Sequence, residues 1–262
     1  MKLCQPVFAM LCLVMASLST SLHATIVEFR TSMGDFEVNL FDNITPKTVQ
    51  NFLEYVEQES YHQSVIHRSI PGFIIQGGGF AYDGEFPLAV IPANAAINNE
   101  PELSNRRGTI AMAKLADNPD SATNQWFFNL DNNSANLDVQ NGGFSVFGQI
   151  SAQGLEILDA IAALPRFNLG GAASEMPLRN YTNADAAAGV DITEDNLVII
   201  ESVVVVDGRT DSADGLEPVV NTLIKEVPPQ QPDQQGNSGG SVAWWLLAVL
   251  ILLSSGRSQR LH

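Results

Sequence analysis

Val65-Ile66-His67-Arg68-Ser69-Ile70-Pro71-Gly72-Phe73-Ile74-Ile75-Gln76-Gly77-Gly78-Gly79 sets an arginine, a ring and a glutamine among apolar residues that read as strand. Arg68 and Gln76 are eight positions apart, so on one extended strand they would share a face. Pro71-Gly72 interrupts that count with a turn signal. A guanidinium, an amide and a ring, without a base, nucleophile or metal ligand among them, can hold a peptide segment and steady one of its carbonyls. Each also has a bland reading when taken alone. Arg68 fits a salt-bridged barrel arginine, Gln76 a polar strand residue, and Phe73 and Phe127 core aromatics. Gly77-Gly78-Gly79 lacks the Lys-Ser/Thr and helix of a phosphate loop, and reads as a turn needing unusual backbone angles.

Outward from this stretch the chain is rich in short strands. Ile26–Thr31 and Phe36–Leu40 alternate apolar and polar residues around a turn at Gly34, which predicts a hairpin. Further β-rich pieces are expected at Thr109–Ala113, Trp126–Asn129 and Phe144–Ile150. Leu197–Val206 reads as a last, largely buried strand. Thr45 and Pro46 open a first helix carrying Val49, Phe52, Leu53 and Val56 at helical spacing. A second helix is expected over Gly154–Leu164, with Leu155, Leu158, Ile161 and Ala162 as its stripe, and Phe167–Thr193 reads as loop. Together these predict a mainly β fold, a closed eight-stranded antiparallel barrel capped by two α-helices.

Composition narrows the partners. The 262 residues carry a formal net charge of −16, which argues against nucleic acid or an anionic membrane surface as the main partner. Both cysteines, Cys4 and Cys12, lie within the first 24 residues, so the body has no thiol, disulfide or Cys-ligated metal. Residues 1–24 read as a signal peptide, with Lys2 ahead of the apolar run Pro6–Leu18 and cleavage after Ala24. That run is too short for an N-terminal anchor. A cysteine-free body behind such a leader suits the periplasm or cell envelope of a Gram-negative bacterium. Residues 25–208 form the expected domain, and 209–238, with Pro228-Pro229, Pro232 and several Gln, Gly and Ser, a flexible linker. Residues 239–262 join Gly239-Gly240 to a short apolar run, Val242–Leu253, and then Arg257 and Arg260. This order resembles the GlyGly-CTERM sorting tail, which implies a membrane segment cut by a rhomboid-type protease; a simple C-terminal anchor is the alternative. A monomer is expected.

Several motifs together carry a family resemblance. Ile66–Phe80 (IHRSIPGFIIQGGGF), Arg107–Ala113 (RGTIAMA), Ser121–Asn129 (SATNQWFFN), Asn136–Asp138 (NLD) and Phe144–Ile150 (FSVFGQI) resemble, in order, the cyclophilin-type peptidyl-prolyl isomerases, and Thr45–Val56 resembles their first helix. The resemblance implies catalysis of rotation about X-Pro bonds in exported polypeptides, without a cofactor or metal. It implies Arg68 as the catalytic arginine, aided by Gln76 and Phe73. It places Ile74, Phe127 and Leu137 in the proline pocket, Met112 and Ala113 on the strand beside it, and Lys114 and Gln125 at peptide-binding positions. His67 takes a supporting place beside Arg68. Phe144 stands where a pocket-edge His or Tyr is common, and Asn136 where many relatives carry Trp or Phe, which implies weak sensitivity to cyclosporin. A binding module or chaperone that holds proline-containing segments, with catalysis incidental, is the rival reading, because Asn136 and Phe144 edge the groove. The Gly-x-Ser-x-Gly match at Gly236–Gly240 (GNSGG) falls where the linker meets the tail and not between a strand and a helix, so it does not read as a serine-hydrolase elbow, and Asp117, Asp120, Asp131 and Asp138 fit no EF-hand spacing.

Overall fold

The structure, a computed structural model, describes residues 25–207, 216 and 218–224. The signal peptide, most of the linker and the Gly-Gly tail read from the sequence lie outside them. In chain order the strands are β1 (Ile26–Thr31), β2 (Phe36–Leu40), β3 (Ser64–Val65), β4 (Arg68–Ile70), β5 (Ile74–Gly77), β6 (Phe80–Ala81), β7 (Ala89–Val90), β8 (Thr109–Met112), β9 (Trp126–Asn129), β10 (Val146–Ile150), β11 (Arg166–Phe167), β12 (Met176–Pro177) and β13 (Ile199–Asp207). The helices are α1 (Pro46–Glu57), α2 (Ser134–Leu137), α3 (Ala152–Ala162) and α4 (Asn183–Ala188).

Eleven strands join one antiparallel sheet in the order β4-β5-β9-β8-β10-β2-β1-β13-β3-β6-β7. The expected closed ring of eight strands is therefore not what the ladders form, since no pairing joins β4 to β7. The sheet is nevertheless strongly curled. β3 and β4 stand far apart in that order, yet only Ile66 and His67 separate them along the chain. A two-residue link of about 10 Å at most obliges the two flanks to meet.

The hairpin of β1 and β2 forms as the alternation predicts. Val27, Phe29, Phe36, Val38 and Leu40 point inward, and Gly34 turns the chain at φ 118°, where a side chain would be strained. β1 then pairs on its other edge with β13, Phe29 against Val203. β13 is less buried than expected, because Val205 and Val206 are each 46% exposed at its end. The curled sheet encloses a core in which the rings of Phe29, Phe36 and Phe128 lie 5.2–5.7 Å apart. Burying rings of this size supplies the largest apolar contribution available to a sheet interior.

α1 starts at Pro46, as read, and buries Val49, Phe52, Tyr55 and Val56. Thr45 sits at its N-cap but makes no capping bond. The Glu100 carboxylate caps instead, accepting from the Thr48 N–H at 2.8 Å and the Lys47 N–H at 3.3 Å. A carboxylate there also meets the positive end of the helix dipole. α3 begins two residues before the expected Gly154, capped by the Ser151 hydroxyl. Gly154 is a site of close packing: a Cβ would lie 2.4 Å from Ile150 and 2.9 Å from Phe36. Phe167–Thr193 is not all loop. It contains α4, opened by a Thr182–Asp185 capping box, and pairs β11 with β12.

Candidate active site

The register of the ladders builds a row of side chains on one face of the sheet. Arg68 of β4 opposes Gln76 of β5, Gln76 opposes Phe127 of β9, Phe127 opposes Ala111 of β8, and Ala111 opposes Val146 of β10. Opposed residues share a face. Arg68 and Gln76 therefore meet across a hairpin turned at Pro71-Gly72, with Gly72 at φ 69°, and not along one extended strand. The alternate residues Ile75, Ile110, Met112, Trp126 and Phe128 point the other way, into the main core. Met112, expected beside the groove, is one of these. It is fully buried and contributes no side chain to the site face.

A hydrogen-bonded chain runs along the polar end of the row. Arg68 Nη1 donates to Gln76 Oε1 at 3.2 Å, and Gln76 Nε2 donates to Gln125 Oε1 at 2.9 Å. Accepting from a guanidinium fixes which end of the Gln76 amide is oxygen, and so aims its NH2 at Gln125. Gly79 makes room for this, because a Cβ there would lie 2.7 Å from the Gln125 carboxamide. Of the three glycines, Gly78 alone has positive φ, at 80°, whereas Gly77 and Gly79 are required by close approach. Burial pulls the Arg68 guanidinium below its ordinary pKa, opposed by the charge of Glu175.

His67 is placed beside this chain but plays another part. Its ring is 1% exposed and meets Phe80 edge to face at 4.9 Å, and neither ring nitrogen has a hydrogen-bond partner among the described residues. Burial, and next the Arg68 charge, lower its pKa to about 3. The imidazole is neutral at pH 7 and packs as an aromatic wedge.

The apolar end of the row gathers Ile74, Phe127, Leu137 and Phe144 into one buried cluster, with Phe73 and Ala113 packed half-buried against it. Phe127 and Phe144 meet edge to face at 5.7 Å. The expected pocket residues are thus together, next to the Arg68–Gln76 pair. Asn136 is exposed at the adjoining turn of α2.

Two features were not read from the sequence. The first is an amide network behind the cluster. Asn133 Nδ2 donates to the Phe73 carbonyl and to Asn129 Oδ1, each at 2.8 Å, and Asn129 Nδ2 donates to Thr109 Oγ1 at 2.9 Å. Asp138, 1% exposed, accepts from Ser104 Oγ at 2.6 Å and from the Asn105 N–H at 2.7 Å. Its carboxylate is committed to protein donors, which is a sufficient reason for its burial. The second is Lys114. Its Nζ donates to the carbonyls of Asn141 and Gly143 and lies 4.7 Å from the Phe144 ring centroid. Asn141, Gly142 and Gly143 all have positive φ, between 51° and 75°, which is how one short loop turns two carbonyls toward one ammonium. Burial lowers the Lys114 pKa to about 8, opposed by Asp120. The side chain is therefore a loop clamp at the pocket edge, while the peptide contact that the resemblance implies around Lys114 is one made by backbone.

Comparison with known proteins agrees with this geometry. Residues 26–183 match the family model for the cyclophilin type peptidyl-prolyl cis-trans isomerase/CLD. The chain is 39% identical over 162 residues to a peptidyl-prolyl cis-trans isomerase of Acinetobacter baylyi, covering 60% of this chain and 84% of that protein. It is 39% identical over 140 residues to peptidyl-prolyl cis-trans isomerase B of Escherichia coli, covering 52% of this chain and 83% of that one. A crystal structure of a cyclophilin type isomerase from Cryptosporidium parvum superposes with a TM-score of 0.51 at 26% identity, covering 71% of this chain and 99% of that chain. The same parasite protein has been solved in the presence of the dipeptide Ala-Pro.

Proposed function

This chain belongs to the cyclophilin-type peptidyl-prolyl cis-trans isomerase family, and from that premise we propose that it isomerises X-Pro bonds in exported polypeptides with Arg68 as the catalytic group. Amide resonance makes the X-Pro bond stiff, with a barrier of about 20 kcal/mol. Twisting it breaks the resonance, and the proline nitrogen becomes pyramidal with a free lone pair. A catalyst therefore needs a dry apolar seat for the ring, a grip on the chain and a donor whose bond strengthens as the amide twists. No proton transfer or covalent bond to the protein is required.

One observation carries this reading: a buried guanidinium, held by Gln76 at 3.2 Å, stands on the same sheet face as the cluster of Ile74, Phe127, Leu137 and Phe144. Gln76 and Gln125 pre-set the direction of the donor, so less reorganisation is needed when the amide twists. Holding a proline ring calls for the apolar cluster alone, and the guanidinium beside it favours catalysis over passive binding. Phe73, half-buried at the cluster's edge, takes the flank of the ring. Residues 1–24 direct export and 239–262 supply a membrane-sorting tail, on the sequence features quoted above, which places the protein in a bacterial cell envelope.

The test is prolyl cis/trans exchange in a short Ala-Pro peptide, followed by NMR for the native chain and for Arg68→Ala. The native chain is expected to accelerate exchange, and Arg68→Ala to lose about a hundredfold or more in kcat/KM, the scale for removing one transition-state donor. Peptide binding without acceleration by the native chain would establish the binding-module reading instead.

A further inference from the structure

The seat proposed for the proline ring is sealed. Ile74 is 1% exposed, Phe127 2%, Leu137 1% and Phe144 2%. A site that takes a ring from solution has to offer apolar wall before the ligand arrives. Among the half-buried side chains packed on this cluster, Ile44, Phe73 and Ala113 come from the turns and strands of the domain itself. Leu216 does not: it lies past the end of β13 at Asp207, in the stretch that composition marks as linker.

The chain after Leu216 is fastened at the rim of the same cluster. Val220 forms an antiparallel bridge with Leu103, a cluster member. The Ser104 N–H donates to the Val219 carbonyl at 2.8 Å, and the Asn221 N–H to the Glu102 carbonyl at 2.8 Å. Asn221 is 2% exposed; its Nδ2 donates to the Asp138 carbonyl at 2.9 Å, next to Leu137. Its Oδ1 accepts from the Leu223 and Ile224 N–H groups at 3.0 and 3.2 Å. This is a specific attachment, with the backbone paired and a buried amide satisfied at both ends. Leucine also matches proline in being a compact apolar side chain, and Pro218 follows two positions on.

We propose that Leu216 and residues 218–224 are an intramolecular competitor for the prolyl site, with Leu216 seated on the apolar cluster and 219–221 as its anchor. The proposal rests on the reading of this cluster as the prolyl seat. A client's proline enters only in the fraction of molecules whose Leu216 has lifted, so apparent affinity is reduced by that fraction. Because the competitor is tethered, its effective concentration is in the millimolar range or above. Dilution does not relieve it, and only a client that binds well enough displaces it.

The experiment uses the full chain in three forms, native, Leu216→Ser and Asn221→Ala, and an Ala-Ala-Pro-Phe peptide. Binding is read by calorimetric titration and turnover by NMR exchange. Both variants are expected to bind the peptide about three- to tenfold more tightly than native, with KM falling by the same factor and kcat unchanged. On the native chain, saturating peptide is expected to move the Leu216 methyl resonances to those of a solvent-exposed leucine. Equal or weaker binding by both variants overturns the proposal, as does a Leu216 signal that stays in place at saturation. The two readings fail differently. Tighter binding by the variants with no form accelerating exchange keeps the strap and removes the enzyme. Acceleration by all forms with unchanged affinity keeps the enzyme and removes the strap.

Discussion

At the scale of single residues, the site depends on burying polar groups in defined partnerships. His67 departs from this: its buried imidazole packs edge to face on Phe80 with neither ring nitrogen paired among the described residues, and burial, with the Arg68 charge, lowers its pKa to about 3. Its unfolded value is near 6.5, so between pH 6.5 and 3 the unfolded chain binds a proton that the folded chain refuses. Stability therefore falls as pH drops through that window. By pH 4 the His67 contribution to that loss is about 3 kcal/mol. Urea unfolding at pH 7, 5 and 4 checks this: native is expected to lose more than His67→Leu, and parallel losses would show that another group controls acid sensitivity. Arg68 and Gln76 were legible as a pair although the reason was not. Even spacing pointed to one strand, whereas a hairpin brings them face to face. Met112 was misplaced for the complementary reason. Its neighbours Ala111 and Ala113 face the cluster, and strand alternation turns the residue between them into the core.

At the scale of elements, strong local patterns were readable and long-range ones were not. The first hairpin, α1, α3 and the cores of β8, β9 and β10 carry their own periodicity. α4 was hidden by a run of Asn, Ala and Gly, although Thr182-Asn183-Ala184-Asp185 holds its capping-box signal. Adjacency points to Thr45 as the cap on α1, but its side chain makes no capping bond and Glu100, from a distant loop, accepts from the helix N–H groups instead. β13 shows the largest consequence of non-local pairing. It covers one edge of β1 and one of β3, and it begins at Ile199, beyond the residues 26–183 that match the family model. A fragment ending at residue 183 would bare both edges and the core behind them. It is expected to aggregate and to give no cooperative urea transition. A fragment through residue 224 is expected to unfold in one step, as followed by circular dichroism. Cooperative unfolding of the shorter piece would refute the structural role given to β13.

At the scale of the whole molecule, the described body lies between two ends assigned from sequence alone. Processing at both predicts a mature chain that starts at Thr25 and stops near Gly239-Gly240, measured as intact mass on protein purified from its own host. A mass that includes Val242–Leu253 would replace the processed tail with a retained anchor. Among the described residues no helix is long and apolar enough to cross a membrane. One further consequence follows from β1, whose partners are β2 and β13, so that Ile26 is paired with Asp207 at the far end of the domain. Such pairings give a high contact order, which slows folding and delays it until the last strand is available. Under the export proposed for this chain, threading from the N-terminus would keep the domain open until residue 207 had passed, and β13 would then close over β1, the first strand to enter.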